Sequence, residues 1–311
     1  MKFSLPLFLF LFLSSCTNLI KDESKNTSDE ALSASATNSP GQPAISENIT
    51  VVSERDMIGS WVGMFEPDTS LEPLQIGESR NWNYNNKITI SIDSIVAGTV
   101  KGHSVVAGNE RPFTGTLERT QSSYRFLVKE PGDDKYDGEF HFTIMPGDSL
   151  LKGKWKAYGQ IKIPARRYAL SKKIFRYNPD YRLEERTQYI DWSRTKKRPG
   201  NIEGEEYYEE SYFTTTDEVL RYNASGELLT PKQVANMTKA DIFILRNSIY
   251  ARHGYSYKNR QLRAYFDRQS WYMPVKTDIK GELTPLEKQN IELLLRYEKN
   301  AQEYYDEFGR G

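Results

Sequence analysis

The segment from Ile249 to Tyr272, IYARHGYSYKNRQLRAYFDRQSWY, concentrates side chains that can do chemistry. It holds one of the three histidines of the chain, together with five tyrosines, four arginines and one tryptophan. An imidazole can act as a general base, and a guanidinium group can bind a carboxylate through two parallel hydrogen bonds. Aromatic rings can stack on sugar rings. The segment therefore predicts either a ligand site or a core that is rich in polar tips.

Two interpretations of this segment involve no reaction. In the structural one, Arg252 and His253 lie in the last turn of a helix and Gly254 takes the left-handed position that ends it. This interpretation predicts that Gly254→Val strains the backbone and lowers stability, that His253→Ala lowers stability much less, and that Trp271→Ala removes a ring from the core. In the binding one, the region forms a groove for a cell-wall peptide or an acidic glycan. Its candidate ligand-binding residues are Tyr250, Arg252, His253, Tyr257, Arg263, Trp271 and Tyr272.

The third interpretation is catalytic and makes His253 the base of an envelope hydrolase, with an acid that folding brings near it. The sequence contains neither Gly-x-Ser-x-Gly nor His-Glu-x-x-His, and no Asp or Glu lies close in sequence to this histidine. We therefore assign no catalytic residue and expect a protein that is not an enzyme.

Helix signals surround the segment. Capping boxes, in which a threonine and a Gln or Glu three residues later satisfy backbone amides, occur at 230–233 and 284–287, and Thr-Lys-Ala-Asp at 238–241 opens a further helix. Together with the cap Asn259, they predict helices of which the last three end at Gly254, about Gln269 and about Glu307. The inward residues of the last helix are predicted to be Leu286, Ile291, Leu294 and Leu295.

The stretch RNSIYARHGYSYKNRQLRAYFDRQSWYMP, followed by LTPLEKQNI, closely resembles the YARHG domain of bacterial proteins that are presumed to be extracellular. The resemblance covers about Leu220 to Glu298. It rests on the pentapeptide from Tyr250 to Gly254 and on the pair Arg246-Asn247, the pair Trp271-Tyr272 and the helix-opening LTPLE, all in order. It implies a small all-α domain and an extracytoplasmic location, and it implies no particular activity.

Short runs of alternating apolar and polar residues fill the chain before this domain, and turn residues separate them. This pattern predicts half-buried antiparallel strands at 58–65, 87–95, 98–106, 113–119, 123–129, 138–145, 149–158 and 162–170. Short loops make consecutive strands hairpin neighbours, and an eight-stranded meander loses its exposed edges by closing. The predicted fold class is α+β multidomain, with an eight-stranded barrel-like domain of lipocalin or calycin type followed by the helical domain.

Two tryptophans mark the predicted barrel. GSW at 59–61 loosely resembles the Gly-x-Trp opening of lipocalin-like barrels, and GKW at 153–155 repeats the pattern. We interpret Trp61 and Trp155 as core residues that plug the barrel ends; the alternative is a barrel mouth that holds one small ligand. No metal or cofactor is expected, because His103 and His141 lack acids or cysteines at ligand spacing.

The first residues, MKFSLPLFLFLFLSSC, contain an apolar run that is too short to span a bilayer, so it is interpreted as a signal peptide. Leu13-Ser14-Ser15-Cys16 resembles the lipobox of bacterial lipoproteins, which implies lipidation of Cys16; the alternative is an ordinary signal peptide with an accidental cysteine. Lys21-Asp22-Glu23 resembles a surface-export signal of Bacteroidetes lipoproteins, or is a solvated charge cluster. The predicted location is the outer membrane or cell surface.

Composition narrows the partners. Lys plus Arg and Asp plus Glu both number 42, so no overall field attracts nucleic acid. Without a second cysteine there is no disulfide framework. We expect a non-enzymatic binding module whose partner is the membrane through Cys16, and a cell-wall glycan or peptide or another envelope protein. The predicted divisions are a signal peptide (1–15), a tether (16–55), the barrel (56–172), a charged connector (173–219) and the helical domain (220–311).

Overall fold

The computed structural model describes residues 53–70, 84–202 and 205–301. The signal peptide, Cys16 and nearly all of the predicted tether lie outside the described residues. Within those described ranges, none of the helices combines the length and the apolar character needed to cross a membrane.

Eight antiparallel strands close into a barrel in chain order, with β1 paired to β8. This confirms the predicted fold class. The strands are β1 (Gly59–Pro67), β2 (Asn86–Val96), β3 (Thr99–Val106), β4 (Asn109–Arg119), β5 (Tyr124–Lys129), β6 (Gly138–Ile144), β7 (Leu150–Ala157) and β8 (Ala165–Lys172). A one-turn helix, α1 (Glu54–Met57), precedes them and occupies the last residues assigned to the tether.

Two tight turns set the pairing of β2, β3 and β4. Ala97 and Gly98 have φ values of 47° and 79°, and Ala107 and Gly108 have φ values of 52° and 75°. Two central residues with positive φ form the turn whose twist matches that of the adjoining strands. Each turn therefore joins its strands through two residues and fixes their register.

The barrel interior is one hydrophobic cluster that contains both tryptophans. Trp61 is fully buried and its indole nitrogen donates to the Met57 carbonyl at 2.9 Å. Trp155 is nearly as buried and donates to Glu130 Oε2 at 3.2 Å. Trp61 lies near the start of β1 and Trp155 near the end of β7, which are opposite ends of the barrel. Their burial favours the interpretation as core residues over a ligand-lined mouth.

The predicted connector, 173–219, is more than a linker. It contains a hairpin of β9 (Ile190–Ile202) and β10 (Glu205–Thr214). β9 carries the basic run Lys196-Lys197-Arg198 and β10 carries the acidic pair Glu209-Glu210, and Lys197 pairs directly with Glu210. Opposite charges at facing positions stabilise antiparallel pairing. The blocks therefore pair with each other instead of solvating a loose chain.

Five helices follow the hairpin: α2 (Glu218–Arg221), α3 (Pro231–Val234), α4 (Lys239–Arg252), α5 (Arg260–Phe266) and α6 (Pro285–Asn300). Helices α5 and α6 end earlier than the sequence predicted. α5 ends at Phe266 instead of about Gln269, and α6 ends at Asn300, after which Ala301 has an extended backbone. The prediction that Leu295 faces inward is wrong, because this side chain is 48% exposed while Leu293 and Leu294 are buried. Residues 292–295 are Glu-Leu-Leu-Leu, and the sequence alone does not show which two of three adjacent leucines face the core.

A half-buried lysine joins the barrel to the helical domain. Lys87 of β2 donates from Nζ to the carbonyls of Gln269 and Tyr272 at 2.8 and 2.9 Å, and its backbone amide donates to Asp267 Oδ2 at 2.8 Å. Burial lowers the pKa of Lys87 and raises that of Asp267. Gly108 of the β3–β4 turn donates to Ser256 Oγ at 2.9 Å. The two regions therefore pack as one unit.

Candidate functional site

The YARHG pentapeptide ends helix α4 through a Schellman motif. Gly254 has a φ of 76° and follows the C-cap residue His253. Its amide donates to the Ala251 carbonyl at 2.9 Å, and the Tyr255 amide donates to the Tyr250 carbonyl at 3.1 Å. These two bonds satisfy carbonyls that a helix end leaves unpaired. The structure confirms the prediction that Gly254 terminates this helix.

Arg252 is buried and holds three segments together. Its Nε donates to the Tyr181 carbonyl at 2.8 Å, and its Nη1 donates to Ser248 Oγ at 2.8 Å and Ser225 Oγ at 3.4 Å. Only 1% of this arginine is exposed. Burial lowers the pKa of its guanidinium to about 10, so the group stays charged at neutral pH. An arginine bonded in this way has little access to an external carboxylate.

His253 is also buried, and an acid lies beside it. Its Nε2 is 2.8 Å from Oε2 of Glu287, and both side chains are almost fully shielded from solvent. The ring of Tyr177 stacks on the imidazole with centroids 4.3 Å apart and an interplanar angle of 17°. Because an ionised carboxylate only accepts hydrogen bonds, Nε2 is the nitrogen that carries the proton. Folding therefore supplies the acid that the catalytic interpretation requires.

Glu287 is the centre of this cluster. Its carboxylate accepts from His253, from the Thr284 amide at 2.9 Å in the capping box of α6, and from the Tyr177 hydroxyl at 3.0 Å. Burial alone would raise the pKa of Glu287, but the bonds from His253 and Thr284 outweigh it and lower the pKa to about 2. Burial and the neighbouring carboxylate raise the pKa of Tyr177 to about 12, so its hydroxyl remains a donor. The carboxylate is therefore ionised and fully engaged.

The second nitrogen of His253 determines what the pair can do. Nδ1 is buried, has no hydrogen-bond partner among the described residues, and lies 3.9 Å from Oε2 of Glu282. In a histidine that donates from Nε2 to a carboxylate, Nδ1 would be the proton acceptor. A general base must come within hydrogen-bond reach of the proton it removes. In the observed conformation no substrate atom can reach Nδ1.

The other predicted ligand residues split into a buried and a partly exposed set. Tyr257 and Tyr272 are buried and donate to the carbonyls of Asn247 and Tyr255 at 2.5 and 2.7 Å. The partly exposed residues are Tyr250, Arg263 and Trp271. Arg263 donates to Asn86 and to the carbonyls of Tyr257 and Lys258, which engages its guanidinium in the interface with the barrel.

Trp271 is not the fully buried core ring that the structural interpretation expected. It is partly exposed, its indole nitrogen donates to the Arg182 carbonyl at 2.9 Å, and its ring stacks on Tyr181 at a centroid distance of 5.4 Å. The ring pair lies at the surface, over the buried guanidinium of Arg252, whose central carbon is 5.9 Å from the Trp271 ring centre. With Tyr181, Trp271 therefore forms one of the places where solvent reaches the predicted ligand residues, the others being Tyr250 and Arg263.

Sequence reasoning missed two members of the cluster. Tyr177 lies in the predicted connector and Glu287 lies 34 residues after His253. The capping box gave a signal for Glu287, because it predicted a carboxylate that reaches back to Thr284. No local pattern indicated that the same carboxylate also accepts from His253.

The remaining histidines form surface pairs. His103 Nδ1 is 3.0 Å from Asp93 Oδ2, and His141 Nε2 is 3.0 Å from Glu139 Oε1. Within the described parts of the chain, no three histidine, cysteine or acidic side chains converge as metal ligands would.

The chain thus combines a closed antiparallel barrel with a small helical domain that packs against it. The pentapeptide from Tyr250 to Gly254 forms the end of helix α4 in that domain. Residues 217–299 match the YARHG domain, which confirms the resemblance drawn from the motifs. No curated protein and no solved structure matches the chain.

Proposed function

We propose that this chain is a non-enzymatic, lipid-anchored binding protein of the bacterial cell envelope. The observation that carries the proposal is that the polar side chains of the motif are used inside the fold. Arg252, His253 and Glu287 are buried; Arg252 donates to a backbone carbonyl, and His253 donates to Glu287. Buried side chains with these hydrogen bonds hold the helices in position, and a substrate cannot reach them. Binding is then left to surfaces outside the pentapeptide.

The stacked pair of Tyr181 and Trp271 is the binding surface that we infer for cell-wall fragments. Both rings are partly exposed and parallel within 17°. Glu184 and Ser270 lie next to this pair in sequence and are bonded to each other through the Ser270 amide at 2.9 Å. Paired aromatic rings offer a large, rigid contact area with polar groups at the edge, a combination that suits sugar rings with attached peptides.

Tyr181→Ala is expected to reduce capture of muropeptides by the full chain at least about tenfold, the loss typical of a contact worth more than 1.4 kcal/mol. The fold should survive, because the substitution keeps the backbone carbonyl that accepts from Arg252. Pull-down with a defined muropeptide mixture measures the effect. Tyr208→Ala, on a ring that is 69% exposed on β10, is the matched control. Equal capture by both variants would reject this surface.

The anchor is a separate proposal that rests on the lipobox resemblance at Cys16. Cys16→Ser is expected to move the protein from the detergent phase of a membrane extract to the aqueous phase. One lipidated residue supplies the only hydrophobic attachment in this scheme. Ser15→Ala, which keeps a small residue before the cysteine, should stay in the detergent phase. A Cys16→Ser protein that remains there would contradict the anchor.

The runner-up function is an envelope hydrolase that uses His253. The 2.8 Å contact between His253 and Glu287 favours it, because a carboxylate that orients an imidazole is part of many hydrolytic sites. It requires the loop that carries Glu282 to open and expose Nδ1. Release of soluble products from peptidoglycan by wild-type protein, and its loss in Glu287→Gln, would establish this function over the binding proposal.

A further inference from the structure

Strand β7 presents a lysine at each of three successive outward positions. Lys152, Lys154 and Lys156 are exposed on the outer face of the barrel, while Leu151, Trp155 and Ala157 between and beside them point inward. Lysine is depleted in strands, and where it occurs it commonly protects a sheet edge from pairing with another chain. β7 pairs with β6 on one side and β8 on the other, so it has no edge to protect.

The neighbouring strands extend this positive surface. Lys154 lies directly between His141 of β6 and Arg167 of β8, and these three side chains are 62%, 56% and 60% exposed. Lys154 and Arg167 therefore place like charges at facing positions, an arrangement that destabilises a sheet. Lys129 and Arg125 of β5 lie on the same outer side. We call the outer surface of β5 to β8 the lysine face.

Acidic residues offset only part of the charge. The ion pairs that lysines and arginines of the lysine face make are Lys154–Asp68, Arg167–Glu66, Lys152–Asp148 and Lys129–Glu139, with separations of 2.9, 3.3, 3.9 and 3.8 Å. Against these four acids and Glu118 of β4, which faces Arg125, stand six lysines and arginines, counting Arg125 and Lys156, so the face keeps one positive charge while the chain as a whole has none.

The shape of this surface decides between possible partners. The outside of a closed barrel is convex, so the lysine face has no walls to enclose a small ligand or to follow a polymer. Within the described ranges, the helical domain packs against β2 and the β3–β4 turn, on a different part of the barrel from this face. A convex, positively charged surface with long flexible side chains suits a planar surface of phosphate headgroups.

We propose that the lysine face docks on an anionic lipid bilayer and lays the barrel against the membrane. This inference deepens the proposed function, because it gives the anchored protein a second membrane contact. Residues 17–52 separate Cys16 from the first described residue, Ser53, which is chain enough for any side of the barrel to reach the bilayer. One lipid group with a basic patch is a recognised combination for stable membrane attachment.

Vesicle sedimentation tests the proposal with the chain from Thr17 onward, which contains every described residue and lacks Cys16. It should bind vesicles that contain phosphatidylglycerol, bind phosphatidylcholine vesicles far less, and detach in high salt. Each basic side chain near such a surface contributes about fivefold to partitioning. The variant Lys152→Glu/Lys154→Glu/Lys156→Glu should therefore bind at least about tenfold more weakly.

The matched control reverses three exposed lysines of the helical region, Lys232, Lys280 and Lys288, and changes the net charge equally. It should bind vesicles like the wild type. A triple Lys→Gln variant of β7 with an unchanged melting temperature guards against misfolding, and it should also bind more weakly. Equal loss in the helical control, or binding to soluble polyphosphate without binding to vesicles, would overturn the proposal. The vesicle experiment uses a chain without the lipid anchor. A failure of the anchor proposal would therefore appear only in the Cys16→Ser fractionation and not in vesicle binding.

Discussion

Gly254→Val is expected to destabilise the protein by about 2–6 kcal/mol, a large part of the stability of an ordinary domain. Gly254 has a φ of 76°, where a β-branched residue is strained by about 1–3 kcal/mol. A Cβ at this position would lie 2.5 Å from Val275 Cγ2 and 2.8 Å from Phe175 Cε2, so overpacking adds about 1–3 kcal/mol. Urea unfolding followed by circular dichroism of the helices measures the loss.

Gly281→Val is the matched control for this substitution. Gly281 belongs to the same helical region, and a Cβ there would meet nothing within 4 Å. Surface substitutions of this kind usually change stability by about 0.5 kcal/mol or less. Equal stability of Gly254→Val and Gly281→Val would mean that the pentapeptide does not end a packed helix as described.

Glu287→Ala is the second substitution with a large expected effect, about 3–5 kcal/mol. It removes the acceptor of the buried His253 and of the part-buried Tyr177 hydroxyl and Thr284 amide. Loss of the acceptor of a buried donor typically costs about 1–3 kcal/mol, and here one buried and two part-buried donors lose theirs. Glu287→Gln keeps the shape and the capping bond and should cost about 1–3 kcal/mol, the contribution of a charge-assisted bond. Urea unfolding at neutral pH ranks the two variants.

The same residue predicts a dependence of stability on pH. The folded-state pKa of Glu287 is lowered to about 2 from its ordinary value of 4.5. A depressed carboxyl pKa contributes stability that is fully present above the unfolded value and is lost as pH falls toward the folded value. Wild type should therefore lose stability between about pH 5 and 2 more steeply than Glu287→Gln. Parallel curves for the two proteins would show that this carboxylate carries no such linkage.

The barrel was predictable because its signals are local. Alternation placed Ile88, Ile90 and Ile92 on one face, and all three are fully buried. The start of β4 was predicted at residue 113 but lies at Asn109, since the polar Asn-Glu-Arg-Pro stretch carries no apolar alternation. Tight pairing across the Ala107-Gly108 turn extends the strand through that stretch.

The candidate site was only half predictable. The Schellman glycine and the capping box at Thr284 follow from residue types at fixed spacing. The contact of His253 with Glu287 joins two helix ends 34 residues apart, and stacking by Tyr177 comes from a segment that was interpreted as a connector. These contacts depend on how the helices pack, which no local pattern specifies. They also change one expectation, because the cost of His253→Ala can no longer be small.

The unfolding free energy of His253→Ala in the full chain tests most directly the claim that the motif is structural. The ring is 2% exposed, is stacked by Tyr177 and is bonded to Glu287. Its removal leaves a cavity and a buried carboxylate with one fewer donor, so we expect a loss of about 2–4 kcal/mol by urea unfolding. A His253→Ala protein as stable as wild type that has lost ligand binding or hydrolysis would contradict the account and make His253 a reactive or binding residue.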